Sequence, residues 1–272
     1  MTTQPTDKDF TGSIPEIYEK YLVPLIFEDY AQDLARRVKE KPVSTVLEIA
    51  AGTGVVTRAV ADALDDKVSI VATDLNQAML NHGASVRADK NVEWRAADAL
   101  ALPFDDDMFD VVLCQFGVMF FPDRVKAYSE TRRVLRKGGR FIFNVWDKIE
   151  DNEFADIVTT ALADVFPDDP PSFLPRTPHG YSNIDKIMFE LNEAGFASSP
   201  GFETVTARSK AQSPSEPAIA YCQGTPLRNE IESRDSSLLV HATEIATEAL
   251  AKHFGTGAID GKIQGITVVV EA

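Results

Sequence analysis

The chain has 272 residues, 44% of them hydrophobic and 25% charged, an ordinary globular balance with ample length for a full core. A formal net charge of −15 argues against nonspecific binding to nucleic acid backbones, which needs clustered Lys and Arg, so no nucleic acid partner is expected. The two cysteines, Cys114 and Cys222, lie far apart without CxxC spacing, which leaves a zinc site or disulfide framework without support and suits a reducing cytoplasm.

Residues 1 to about 12 are polar and expected to be mobile, and they do not read as a signal peptide. From Ile14 to Val38 apolar residues recur at helix-face intervals, and Pro24 is expected to divide this flap into two helices. Pro42 ends the flap. The run Val46-Leu47-Glu48-Ile49 then reads as a buried strand entering the turn Ala50-Ala51-Gly52-Thr53-Gly54, where glycines let the backbone turn tightly and approach a ligand. Val55 to Leu64 carries the apolar face of a helix. The run Val68 to Thr73 is a second strand ending in Asp74, about twenty residues past the glycines, where a carboxylate can accept both hydroxyls of a ribose. Asn76 is placed to cap the following helix, which carries Met79 and Leu80. A third strand, Val92 to Ala97, ends in Asp98-Ala99. Three successive strand tips thus bear an acid, and the only base near the glycines, Arg58, sits on the helix leading away. Such a turn serves a pyrophosphate poorly and a ribose, an adenine and a positive centre well.

Phe109 to Phe116 is the most apolar run and is expected to be the fourth strand, beside the first, at the reversal point where open parallel sheets bind ligands. Gln115, Phe116, Gly117, Val118, Met119 and Phe120 then line that crevice. A helix from Pro122 through Leu135 is expected to end at Gly138-Gly139, with a fifth strand from Arg140 to Trp146. A helix from Asp151 to Val165, a proline-rich loop containing His179 and Tyr181, and a helix from Ile184 capped by Ser182 or Asn183 lead to a sixth strand, Gly201 to Ala207. A short helix near Pro217 to Cys222 and a long one from about Leu227 to Phe254 precede a final strand, Ile263 to Val270. No apolar run approaches the ~18 residues of a membrane span, so no stable membrane insertion is expected.

The motifs Glu48-x-Ala50-x-Gly52-x-Gly54, Asp74, Ala97-Asp98-Ala99, Leu102 to Val112 and Arg133 to Arg140 make the chain resemble the class I S-adenosylmethionine-dependent methyltransferases. The resemblance covers roughly residues 40 to 150 and lies in the branch that includes ubiquinone and menaquinone C-methyltransferases. It implies an α/β, doubly wound Rossmann-like sheet of seven mostly parallel strands in the order 3-2-1-4-5-7-6, with strand 7 antiparallel. Residues 1–40 would be the flap, 41–207 the donor-binding core, 208–262 a helical insertion and 263–272 the last strand. The insertion would cover the active-site mouth, make a homodimer contact or pack on the sheet edge.

The same resemblance implies S-adenosylmethionine as cofactor, leaving as S-adenosylhomocysteine, and a small-molecule methyl acceptor, which the aromatic residues after the fourth and fifth strands suggest is apolar or aromatic. Gly52 and Gly54 would pack against the methionine part, Asp74 would hold the ribose and Asp98 would reach the adenine amine. Glu48, Ala50, Leu75, Met79, Ala99, Gln115 and the flap residue Tyr18 complete the candidate donor site, though Tyr18 reads equally as a packing residue and Met79 more readily as one. Phe116, Met119, Phe120, Trp146 and Tyr181 are the candidate acceptor contacts. No base is assigned from the sequence, since methyl transfer requires one only when the acceptor must lose a proton; of the four histidines His179 is the best candidate to reach the pocket. No metal site is expected. Two other readings stay open, a donor-binding protein without catalysis and an NAD-type dehydrogenase; against the latter, Thr57 stands where the third fingerprint glycine belongs.

Overall fold

The computed structural model describes residues 7, 12–87 and 89–272. Its centre is a seven-stranded sheet in the order β3-β2-β1-β4-β5-β7-β6, as the resemblance implies. The strands are β1 (Thr45–Ile49), β2 (Ser69–Asp74), β3 (Val92–Ala96), β4 (Phe109–Gln115), β5 (Leu135–Trp146), β6 (Gly201–Ala211) and β7 (Ile259–Glu271). The pairs β1–β2, β1–β4, β2–β3 and β4–β5 are parallel. β7 runs against β5: Gly138 N donates to Ala272 O at 3.1 Å and Asp147 N to Gln264 O at 3.1 Å, so numbering falls along one strand as it rises along the other.

The chain divides into two compact units. One comprises Glu28–Val145, Ser182–Val205 and Gly265–Ala272. Its helices are α2 (Glu28–Val38), α3 (Val55–Ala63), α4 (Gln77–Val86), α5 (Arg124–Val134) and α8 (Ile184–Glu193). The parallel strands β1 and β4 are buried on both faces and mostly apolar, as strands covered by helices on each side are. On one face Val46, Val111, Leu113 and Ile142 meet Leu34 of α2 and Val60 of α3, every one of them at most 1% exposed. Asn76 and Asn183 cap α4 and α8 through side-chain oxygens that accept from Ala78 N and Lys186 N, each at 2.9 Å.

The other unit comprises the described residues within Met1–Phe27, Trp146–Tyr181 and Thr206–Gln264. It holds α1 (Ile14–Ile17), a π-helical segment Tyr18–Phe27, α6 (Glu153–Val165), α7 (Phe173–Arg176), α9 (Ser215–Gln223), α10 (Leu227–Asp235) and α11 (Leu239–Phe254). Pro24 does not divide the flap as expected. The chain takes it up within the wide π turn, whose longer hydrogen-bond span tolerates a residue lacking an N–H. The single long helix expected from Leu227 is also interrupted: Asp235 adopts an extended backbone, and its carboxylate accepts from Ser237 N at 2.9 Å and Ser237 Oγ at 2.6 Å, restarting the helix after a short 3-10 turn.

A third correction concerns β5, which begins at Leu135 rather than Arg140. Gly138 and Gly139 do not end a helix; they lie in an irregular pairing in which Phe109 pairs with Leu135 and Val111 with Arg140. The Arg140 side chain turns inward and donates to the last carbonyls of α2, Arg37 O and Val38 O, both at 2.9 Å. The expectation that the first dozen residues are mobile falls mainly outside the described residues. Asp7 is described, and it is buried: Arg176 Nη2 donates to its carboxylate at 2.5 Å and Thr177 Oγ1 at 2.7 Å, while Glu230 takes the other side of the guanidinium at 2.8 Å. Both cysteines are buried, Cys114 in β4 and Cys222 in α9. Among the described residues no helix is long and apolar enough to cross a membrane.

Candidate functional site

The carboxyl ends of β1, β2 and β3 are tied together by one residue. Asp74 Oδ2 accepts from Gly52 N at 2.8 Å, its Oδ1 accepts from Asn76 N at 2.7 Å, and its carbonyl accepts from Ala97 N at 3.0 Å. The glycine turn, the start of α4 and the tip of β3 are thereby fixed to a single strand end. Within the turn Ala50, Gly52 and Gly54 have φ of 55°, 57° and 81°, the left-handed region that glycine enters freely and alanine only at a cost. Gly54 then caps α3, whose first N–H groups point out of the turn. Asp98 lies exposed just beyond β3, its Oδ1 accepting from Leu100 N at 2.9 Å. Leu75, beside the carboxylate, is 60% exposed, an apolar surface at the mouth of the turn.

Glu48 sits beneath. It is buried, Thr57 Oγ1 donates to its Oε2 at 2.5 Å, and burial pushes its carboxyl up to about 8, so it carries a proton at neutral pH. Thr57 therefore does more than replace a fingerprint glycine. Burial also raises Asp74 above the ordinary carboxylate range, opposed by the backbone N–H groups of Asn76, Gly52 and Leu75.

At the ends of β4 and β5, Gln115 pairs with Asn144. Phe116 follows with a φ of 48°, unusual for an aromatic residue. Its N–H is held twice by one residue, by Asn144 Oδ1 at 2.9 Å and Asn144 O at 3.2 Å. The Phe116 ring meets the edge of Tyr30 with centroids 4.9 Å apart. A Cβ on Gly117 would lie 2.6 Å from Ala50 Cβ and 2.7 Å from Cys114 Sγ, so the β4 tip closes directly on the β1 turn. Met119 is 2% exposed and Phe120 half-buried, in a 3-10 turn spanning Val118–Phe120. Met79 is 4% exposed on α4.

Asn144 and Thr57 were not among the expected site residues. An amide inside the run Phe141 to Trp146 was the available signal: a polar group in a doubly covered strand demands a partner.

Four of the expected residues belong to the unit that contains the π-helical segment Tyr18–Phe27; the rest of the expected flap, from Glu28, belongs to the other unit. There Tyr18 stacks on Phe27 at 5.2 Å, Phe27 lies 6.1 Å from Trp146, and Trp146 lies 6.0 Å from His179. Tyr181 is buried. His179 Nδ1 is 2.9 Å from Asp147 O. A carbonyl only accepts, so Nδ1 carries the hydrogen and Nε2 keeps its lone pair. Burial lowers this imidazole to about 4, which leaves it neutral at pH 7. Among the described residues no group of His, Cys, Asp and Glu is arranged to hold a metal ion.

An acid at the second strand tip holding a glycine turn at the first, in a sheet of this order, defines a protein of the Rossmann-like methyltransferase class. Solved structures agree in fold. YcgJ from Bacillus subtilis superposes with a TM-score of 0.54 at 20% identity over 89% of this chain and 98% of its own. A Haemonchus contortus phosphoethanolamine N-methyltransferase 2, solved with S-adenosylhomocysteine, gives 0.58 at 16% identity over 97% of this chain and 59% of its own. Residues 25–167 match the model of the ubiE/COQ5 methyltransferase family, and the chain belongs to that family, a group of S-adenosylmethionine-dependent methyltransferases. The ubiquinone/menaquinone biosynthesis C-methyltransferase UbiE of Teredinibacter turnerae is 35% identical over 116 residues, 41% of this chain and 47% of the relative. The chain thus matches about half the length of such curated relatives.

Proposed function

We propose that the protein transfers the methyl group of S-adenosylmethionine to a small, apolar or aromatic acceptor. The observation that carries this reading is the Gly52–Asp74 hydrogen bond at the joined strand tips. It is a fit as well as a likeness. Asp74 Oδ2 holds Gly52 N and Oδ1 holds Asn76 N, which fixes the carboxylate at the turn where a ribose would present its hydroxyls. Leu75 offers an apolar face for an adenine, and the exposed Asp98 an acceptor for its amine. Gly52 leaves the turn without a Cβ where the methionine part would lie, with Glu48, Ala50, Ala99 and Gln115 around it, while the side-chain direction of Gly54 is taken up by the Trp94 ring. The family's donor supplies a sulfonium-bound methyl group open to in-line attack.

The chain's own residues then have three tasks. Asp74 and the turn orient the donor. Phe116, Met119 and Phe120 exclude water and present an apolar surface to the acceptor, its approach set by the fixed turn at Phe116. Tyr18, Trp146, His179 and Tyr181 are retained as candidates from the sequence resemblance, His179 accepting a proton or hydrogen bond only at Nε2. The UbiE relatives are named as C-methyltransferases of ubiquinone and menaquinone biosynthesis, which favours a hydroxylated aromatic or quinol-type acceptor here as well.

Titration calorimetry with S-adenosylhomocysteine, followed by labelled methyl transfer across a panel of hydroquinones, phenols and amines, tests both layers. Binding with turnover on the hydroquinone arm is expected. No binding of S-adenosylhomocysteine would overturn the donor assignment, and turnover confined to the amines would overturn the acceptor class.

A further inference from the structure

The indole of Trp94, on β3, reaches the glycine turn from behind. Trp94 pairs with Ala72 of β2, and its ring extends into a space framed by two glycines. A Cβ on Gly54 would lie 2.2 Å from Cη2 of the indole, 3.1 Å from Cζ3 and 3.3 Å from Cζ2. A Cβ on Gly83, in the middle of α4, would lie 2.9 Å from both Cη2 and Cζ3, and 2.8 Å from the carbonyl oxygen of Thr53. The benzo edge therefore fills the volumes that side chains at both glycines would occupy, and α4 lies directly against the Thr53 carbonyl because position 83 bears no side chain.

Contacts this close in a packed interior cannot absorb a change of volume without backbone movement. Hydrogen bonds hold the first half of the turn, Gly52 N to Asp74 Oδ2 at 2.8 Å and Ala51 N to Thr73 O at 2.9 Å, but its Thr53 side chain is held differently. Thr53 is 1% exposed, yet its hydroxyl has no hydrogen-bond partner, so it is held by packing and by its carbonyl, which accepts from Arg58 Nη1 at 2.6 Å. A glycine mid-helix costs about 1 kcal/mol relative to alanine, a cost with no local benefit in α4 except this close approach.

We propose that Trp94 is a positioning residue for the methyl donor: its ring, seated in the Gly54–Gly83 gap, sets where the glycine turn stands relative to Asp74. The proposal rests on the donor assignment made above. It makes β3 and α4, which by that assignment touch the methionine part nowhere, determinants of donor affinity, and it makes Trp94 emission a reporter of an occupied turn.

The test uses the full chain and S-adenosylhomocysteine as the probe. The protein has two tryptophans, so Trp146→Phe leaves Trp94 as the sole indole. Its emission is expected to shift or quench on titration, with the midpoint matching the calorimetric Kd. Trp94→Leu and Gly83→Ala should each weaken S-adenosylhomocysteine binding at least tenfold, and Trp94→Phe, whose shorter ring lacks the Cη2, Cζ2 and Cζ3 edge that fills the gap, should weaken it by a smaller factor. A merely structural role predicts a lower Tm for the variants with unchanged affinity in the folded protein and a silent Trp94; that result overturns the proposal while leaving the donor assignment standing. If the wild type fails to bind S-adenosylhomocysteine, the donor assignment falls and this proposal with it. Should Trp94→Leu not fold, Gly83→Ala and the emission titration decide alone: wild-type affinity together with silent emission overturns the proposal, and weakened binding with responsive emission supports it.

Discussion

Glu48 gives the most direct access to the energetics of the site. Its carboxyl is 2% exposed, receives the Thr57 hydroxyl, and stands at about 8 where an unfolded glutamate stands near 4.5. Because the folded-state value is the higher one, the contribution of this group is intact below pH 4.5 and is lost as pH rises towards 8, when folding must bury a charge. At 1.36 kcal/mol per pH unit the loss across that window is a few kcal/mol and cannot exceed about 5. Glu48→Gln keeps an oxygen for Thr57 and removes the ionisation. Urea unfolding of the ligand-free protein at pH 5 and pH 8 should therefore show the wild type losing about 2–4 kcal/mol more than the variant between the two conditions. Parallel pH dependence in the two proteins would refute the buried, protonated state. The same logic reverses when a cation arrives: a sulfonium or ammonium near Glu48 favours the carboxylate, so donor binding at pH 7 should release a proton, seen as a buffer-dependent binding enthalpy that Glu48→Gln abolishes.

Three further expectations follow from the geometry. Asp74→Ala removes charge-assisted acceptors for Gly52 N and Asn76 N as well as for the ribose, and should weaken S-adenosylhomocysteine binding by about 1.5–3 kcal/mol in calorimetry; unchanged affinity would count against the assignment. Asn144→Leu strips the side-chain acceptor that fixes Phe116 in its left-handed turn, so hydrogen exchange at the Phe116 amide should accelerate at least tenfold, and methyl-transfer kcat should fall more than donor KM rises; Asn144→Asp, which retains the oxygen, should preserve the slow exchange. Asp7→Ala leaves the buried Arg176 with Glu230 and the Ser172 hydroxyl and Thr177 without its Asp7 acceptor, and should cost about 3 kcal/mol in thermal unfolding while leaving S-adenosylhomocysteine affinity within twofold.

The parts of the fold that could be read in advance were those written in local chemistry. Gly52, Gly54 and Asp74 announce a turn and its acid by residue type and spacing, and Asn76 and Asn183 announce helix starts because short polar side chains suit an N-cap. Where competing signals overlap, the reading failed. Gly138-Gly139 after a basic helix looks like a C-cap, yet the pairing of Leu135 with Phe109 pulls these residues into the sheet. The break at Asp235 is invisible to hydrophobic periodicity, since it is made by one carboxylate bonding its own chain two residues on. Asn144 and Trp94 act through partners 28 and more residues away, Phe116 in one case and Gly54 in the other, and only the folded chain brings them together.

The two buried cysteines have a practical corollary. One lies in each compact unit, and burial raises both thiols, Cys222 to about 12 and Cys114 further still, so neither reacts while its surroundings stay closed. A slow alkylating reagent read by peptide mass therefore keeps separate clocks for the opening of each half of the molecule, and a ligand that holds only one half shut will slow only one of them.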